Sequence, residues 1–125
     1  MCSVIILFQL FVKDLLGVPP VKVDRRVVDG ETLHELDRLQ VIHTPGHSAG
    51  QIAFFWPQEG GLLFVGDAAA NTLGLRLSIS YEDLQLGKRT LAQLARLPFA
   101  TACFGHGKTL FNGAAGKFEE LWGMA

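Results

Sequence analysis

"HTPGHSAGQIAFFWP", residues 43–57, opens with two histidines four apart across a Pro-Gly pair and runs directly into an apolar segment. The apolar stretch Leu39 to Ile42 precedes it, so the histidines fall in a loop between two short strands. A four-residue spacing serves a metal site when a helix sets both rings on one face. Pro45 and Gly46 forbid that helix here. His47 is therefore the expected chemical group of the loop, and His43 a strand-end residue that hydrogen-bonds within it. Gly46 and Gly50 bracket His47, as Gly105 and Gly107 bracket His106, at points where the backbone must turn sharply or approach another segment closely.

Outward from this loop the chain alternates short strands with turns. Val21 to Val28 is predicted as a strand, Asp29-Gly30 as a turn, and Leu33 to Leu36 and Leu39 to His43 as further strands. "QIAFFWP" (51–57) and "LLFVG" (62–66) flank Glu59-Gly60-Gly61 as a hairpin. A loop of small residues follows Asp67 through Ser78. Ser80, with Asp83 three positions on, is expected to cap a helix whose apolar face is Leu84, Leu91, Leu94 and Ala95. "FATACFG" (99–105) reads as a strand, and Asn112 opens a last helix with Phe118, Leu121 and Trp122 on one side. Residues 3–16 read as a very apolar helix stopped by Gly17 and Pro19-Pro20. Strands followed by helix, strand and helix predict an α/β fold, a sheet with helices packed against it.

Composition narrows the function classes. The 125 residues form one domain by the usual size prior, and 49% hydrophobic content supports a globular core. A formal charge of -1, with Lys and Arg scattered singly, offers nucleic acid no basic stripe and a membrane surface no polybasic anchor. The apolar run Val4 to Val12 is shorter than the ~20 residues a membrane span needs, and it lacks the flanks of a signal peptide. Cys2 and Cys103 form no C-x-x-C pair; Cys103 is expected to be buried, and a cytoplasmic location follows as the default.

Three residues with metal-ligand chemistry stand just past apolar strands: His47 after His43, Asp67 after Gly66, His106 after Phe104. Loops at neighbouring strand ends bring such side chains together. His34, inside the polar "ETLHELD", is read as a surface residue.

"HTPGHSAGQIAFFWP", "LLFVGDAAAN" and "ACFGHGK" together resemble the later motifs of the metallo-beta-lactamase fold superfamily, especially its glyoxalase-II-like hydrolases. The lead-in "VPPVKVDRRVVDGETL" and the segment "YEDLQLGKRTLAQLARL" also occupy comparable places, so the resemblance runs from about Val18 to the C-terminus. It implies half of an αββα sandwich, a mixed sheet covered by helices. It also implies that His47 is a ligand of a first metal, Asp67 the carboxylate bridging two metals, and His106 a ligand of the second. The implied cations are two zinc ions, with iron or manganese as alternatives, and the implied reaction is hydrolysis of thioester or ester substrates by a metal-bound hydroxide, to which Asp67 contributes as bridging ligand.

The family's first signature, His-x-His-x-Asp-His, does not occur in this sequence. With three ligands, one of them bridging, each metal position keeps two protein donors, below the three or four of ordinary zinc sites. Residues 1–125 are thus expected to be one partial domain, the C-terminal half of a metallohydrolase, inactive as a monomer. Two alternatives remain: a homodimer that completes the site for a small-molecule substrate in place of the missing N-terminal half, and a non-enzymatic interaction module. Asn71, Arg76 and Lys108 lie close enough in sequence to the three residues to meet an anionic substrate, but each is read first as solvated surface.

Overall fold

The computed structural model describes Gly17 and residues 19–124; the helix expected over 3–16, and Cys2, lie outside the described residues. Five strands form one sheet: β1 (Thr32–Leu33), β2 (Leu39–His43), β3 (Ile52–Trp56), β4 (Leu62–Gly66) and, after a separate two-stranded ribbon, β7 (Thr101–Phe104). The order is β1-β2-β3-β4-β7, antiparallel except for the parallel pair of β4 with β7. A parallel neighbour requires a crossover connection, and helix α1 (Leu84–Leu94) lies within the one between β4 and β7. Helix α2 (Ala114–Trp122) follows β7.

Alternation along the strands divides the sheet into two faces. Ala53, Phe55, Leu63, Val65 and Ala102 share the face that meets the helices, where Leu91, Leu94, Phe118 and Trp122 complete a buried core. Phe118 is wholly buried. Its ring meets Phe99 and Trp122 edge-on at 5.2 and 5.0 Å and stacks on Phe104 at 6.3 Å, within the range of favourable aromatic pairs. The opposite face carries Val41, Phe54, Phe64 and Cys103 in register. It too is apolar, and Phe64 is 41% exposed.

The expected mixed sheet with helices against it is therefore present, and local departures have identifiable causes. Val21 to Val28 is not a strand. Val21, Val23 and Val28 are all exposed, no neighbouring strand pairs with the segment among the described residues, and Arg25 instead bonds both Glu31 and Glu35. The strand expected over Leu33 to Leu36 stops at Leu33 and turns into a 3-10 turn, His34–Leu36, which ends on left-handed Asp37. The loop expected over 67–78 contains the short ribbon of β5 (Ala70–Asn71) and β6 (Leu75–Arg76).

Asp83, not Ser80, caps α1: its carboxylate accepts from Leu86 N at 2.9 Å, while Ser80 sits at φ 65°. Leu84 lies outside the buried face and is 44% exposed. Asn112 and Gly113 both take left-handed angles, so α2 starts at Ala114 with Gly113 as its cap; Leu121 points outward at 52% exposure. Cys103 is half-buried rather than buried, its Sγ 3.8 Å from Thr109 Oγ1. Among the described residues no helix is long and apolar enough to cross a membrane.

Candidate functional site

His47, Asp67 and His106, read from sequence as one set, line one cavity of about 460 Å³ together with Ala70, Thr72, Arg76 and residues 77–80. Each comes from a loop leaving β2, β4 or β7. A smaller cavity beside Asp29, Thr44 and Thr90 holds none of them.

The His47 loop is held from several sides. Thr44 N donates to Gln51 O at 2.8 Å across its neck, and Thr90 Oγ1 of α1 donates to Pro45 O at 2.8 Å. Asp83 N donates to Gly46 O at 2.9 Å and Glu82 N to His47 O at 3.2 Å, while Glu82 Oε2 accepts from Ala49 N at 2.8 Å. His43 closes the loop from within. Its Nε2 lies 2.8 Å from the Ala49 carbonyl, and because a carbonyl only accepts, that nitrogen carries the proton. The intraloop hydrogen bond expected of His43 is thus present, and His43 does not line the cavity.

Asp67 and His106 meet directly, His106 Nδ1 donating to Asp67 Oδ1 at 2.8 Å. The parallel pairing of β4 with β7 brings the two loops side by side, and Gly105 N donates to Gly66 O at 2.8 Å between them. Gly105 is required there, since a β-carbon at that position would overlap the Asp67 carboxylate. Asn71 N steadies the turn by donating to His106 O at 3.1 Å, and Asn71 Nδ2 donates to Lys108 O at 2.8 Å. Of the three polar residues near the set in sequence, Arg76 lines the cavity, Asn71 braces the His106 loop, and Lys108 takes part through its backbone.

Sequence reading missed Tyr81. Its ring meets His47 edge-on at 5.7 Å between centroids, and its hydroxyl donates to the Ala68 carbonyl. Burial pushes its phenol up to about 12, against a smaller opposing effect of the Ser78 backbone amide. The available signal was that it is the chain's single tyrosine, set directly before the Glu82-Asp83 helix start.

Two imidazoles and a carboxylate are donors that zinc, iron and manganese all accept. With Nδ1–H of His106 on the Asp67 carboxylate, Nε2 is the ring nitrogen left free. His47 Nδ1 is buried without a hydrogen-bond partner. The donors fit a cation in kind but not in number. Among the described residues no three His, Cys, Asp or Glu side chains are grouped to hold an ion.

Comparison with known proteins identifies the family and the fold. The sequence model of the metallo-beta-lactamase superfamily matches residues 6–106. A hydroxyacylglutathione hydrolase of Chromohalobacter salexigens is 40% identical over 77 residues, covering 60% of this chain and 29% of that protein. One from Xylella fastidiosa is 38% identical over 91 residues, covering 71% of this chain and 33% of its own length. The chain thus spans about a third of the curated relatives it matches. Among solved structures, a metallo-beta-lactamase family protein of Thermus thermophilus superposes with a TM-score of 0.64 at 31% identity, over 83% of this chain and 36% of that one. A protein solved in a di-iron-bound form gives 0.63 at 28% identity, over 90% and 55%.

Proposed function

Because the chain belongs to the metallo-beta-lactamase superfamily, we propose that it supplies half of a metallohydrolase site of the glyoxalase II kind, acting on thioester or ester substrates. The observation that carries this reading is the convergence of His47, Asp67 and His106 from three strand ends onto one cavity.

In this reading His47 and Asp67 contribute to one metal position, and Asp67 and His106 to a second. Zinc, iron or manganese bound there would supply hydroxide at neutral pH by lowering the pKa of water to about 7. The chain's own residues orient and shape. The hydrogen bond that the Asp67 carboxylate accepts from His106 Nδ1 would give way to the cation the two share, the loop bonds from Glu82 and Asp83 hold His47, Asn71 N holds the His106 loop, and Arg76 offers a guanidinium to an anionic group on the substrate. His34 and His43, the chain's other two histidines, stand outside the cavity. The donors that complete the centre therefore belong to another polypeptide segment, and the chain alone is inactive. A cytoplasmic location goes with this reading, Cys103 being free among the described residues.

The test is an S-(hydroxyacyl)glutathione assay with added zinc, iron or manganese. The purified chain is expected to show no turnover. Turnover should arise when it is refolded with a segment bearing His-x-His-x-Asp-His, and H47A, D67N and H106A should each abolish it. Robust turnover by a proven monomer refutes the half-site, and none in any complemented mixture refutes the hydrolase. The apolar second face with exposed Phe64 favours one other reading, a homodimer that completes the site. Sedimentation as a monomer at micromolar concentration excludes it.

A further inference from the structure

Tyr81 touches two of the three loops that carry the site, those of His47 and Asp67. Its hydroxyl is bonded to the carbonyl of Ala68, the residue directly after Asp67, while its ring edge rests against the His47 imidazole. The two residues that follow extend the same grip on the His47 loop, Glu82 N to His47 O and Asp83 N to Gly46 O. On the other side of the ring lies α1, where Gly87 leaves room: a β-carbon there would overlap Tyr81 Cε1 and lie 2.6 Å from Cδ1. The ring is thereby confined between a helix backbone and an imidazole, with its one polar atom tied to the Asp67 loop.

We propose that Tyr81 is a positioning residue that fixes the His47 ring relative to Asp67, bridging their two loops through its ring and its hydroxyl. That His47 and Asp67 are the groups worth aligning rests on the hydrolase reading above; the bridge itself does not. A half-buried hydroxyl bonded to a carbonyl favours one orientation of its ring, because releasing it leaves a partly shielded polar group without its partner. An edge-on aromatic contact is directional as well. Together they transmit the position of one loop to the side chain of the other. An ordinary core aromatic would fill the same space without the polar tie.

The test reads the His47 ring directly, in the metal-free chain. Long-range proton–nitrogen spectra and nuclear Overhauser effects are recorded for the wild type, Y81F, Y81L and G87A, with thermal midpoints alongside. In the wild type, contacts are expected from the His47 ring to the ring of Tyr81 and from the latter to Ala68. Y81F keeps the ring contact and the fold but loses the tie to Ala68, and the His47 resonances shift or double. Y81L removes the ring-current shift on His47 altogether. G87A crowds the tyrosine ring from the helix, and because Gly87 also packs against Gly46 of the His47 loop, its shift of the His47 signals is read only beside that of Y81F.

If Y81F folds and leaves the His47 resonances unchanged, Tyr81 is only packing and the proposal is overturned, even should its thermal midpoint fall. If Y81L fails to fold, Y81F still decides. None of these readings depends on turnover, so failure of the hydrolase reading and failure of the bridge are seen in separate experiments.

Discussion

Gly46 lies against Gly87, glycine on glycine, at the point where the His47 loop crosses helix α1. A β-carbon on Gly46 would sit 2.5 Å from Gly87 N and 3.2 Å from Asp83 O, and Gly46 has a φ of +136° that side chains rarely adopt. Gly46→Ala therefore combines backbone strain with overpacking and is expected to lower the unfolding free energy by about 3 kcal/mol. Gly50, in the same loop, has open space around it and no positive φ. Gly50→Ala should stay within about 0.5 kcal/mol of the wild type. Urea unfolding of the two variants checks the contrast; equal losses would mean that the helix contact contributes nothing.

The two candidate caps of α1 separate in the same way. Asp83→Ala removes the carboxylate that accepts from Leu86 N and should cost about 1 kcal/mol. Ser80 holds a left-handed angle and caps nothing, so Ser80→Gly should be neutral or slightly stabilising. A larger loss for Ser80→Gly than for Asp83→Ala in thermal unfolding would reverse the assignment.

Helix α2 offers a third comparison. Phe118→Ala empties the centre of the aromatic cluster and is expected to cost about 4 kcal/mol, as large-to-small core substitutions do. Leu121, three residues on, is half exposed; Leu121→Ala should cost less than about 1 kcal/mol. Similar midpoints for the two variants in denaturant would contradict the observed orientation of the helix.

Tyr81 makes a prediction about pH. Burial raises its phenol to about 12 in the folded chain, whereas an unfolded tyrosine titrates near ~10. The folded state thus keeps a proton that the unfolded state releases. The associated stability is complete below about 10 and is lost as pH climbs from there toward 12. Since Tyr81 is the single tyrosine, the near-ultraviolet phenolate band reports it alone. A rapid pH jump on the native chain should give a midpoint near 12, and the same titration in urea one near the ordinary value; coincident midpoints would show that the phenol is not buried.

Much of this architecture was legible in the sequence because its signals are local. Two short apolar runs, "QIAFFWP" and "LLFVG", on either side of Glu59-Gly60-Gly61 are enough to identify a hairpin, and the Pro45-Gly46 pair is enough to separate the roles of His43 and His47. Val21 to Val28 misled for the opposite reason. Its alternating valines fit a strand, but a strand also needs a neighbour, and none of the described residues provides one. The cap of α1 was ambiguous because Ser80 and Asp83 are both good capping residues; the left-handed angle of Ser80 settles the matter through backbone geometry that no residue count reveals. Tyr81 was invisible as a site residue since its two partners, His47 and Ala68, are distant in sequence and one of them contributes only a carbonyl.

The parallel pairing of β4 with β7 has a consequence in time. Asp67 and His106 are 39 residues apart, and they become neighbours only after the chain has passed through α1 and returned to lie beside β4. Pairings of this kind close a long loop before any contact rewards it, so they form slowly. A chain emerging from the ribosome presents the His47 and Asp67 loops well before the strand that brings His106. The cleft is therefore assembled no earlier than α1 and β7 dock, and a substitution that delays that docking delays the site without touching any residue in it.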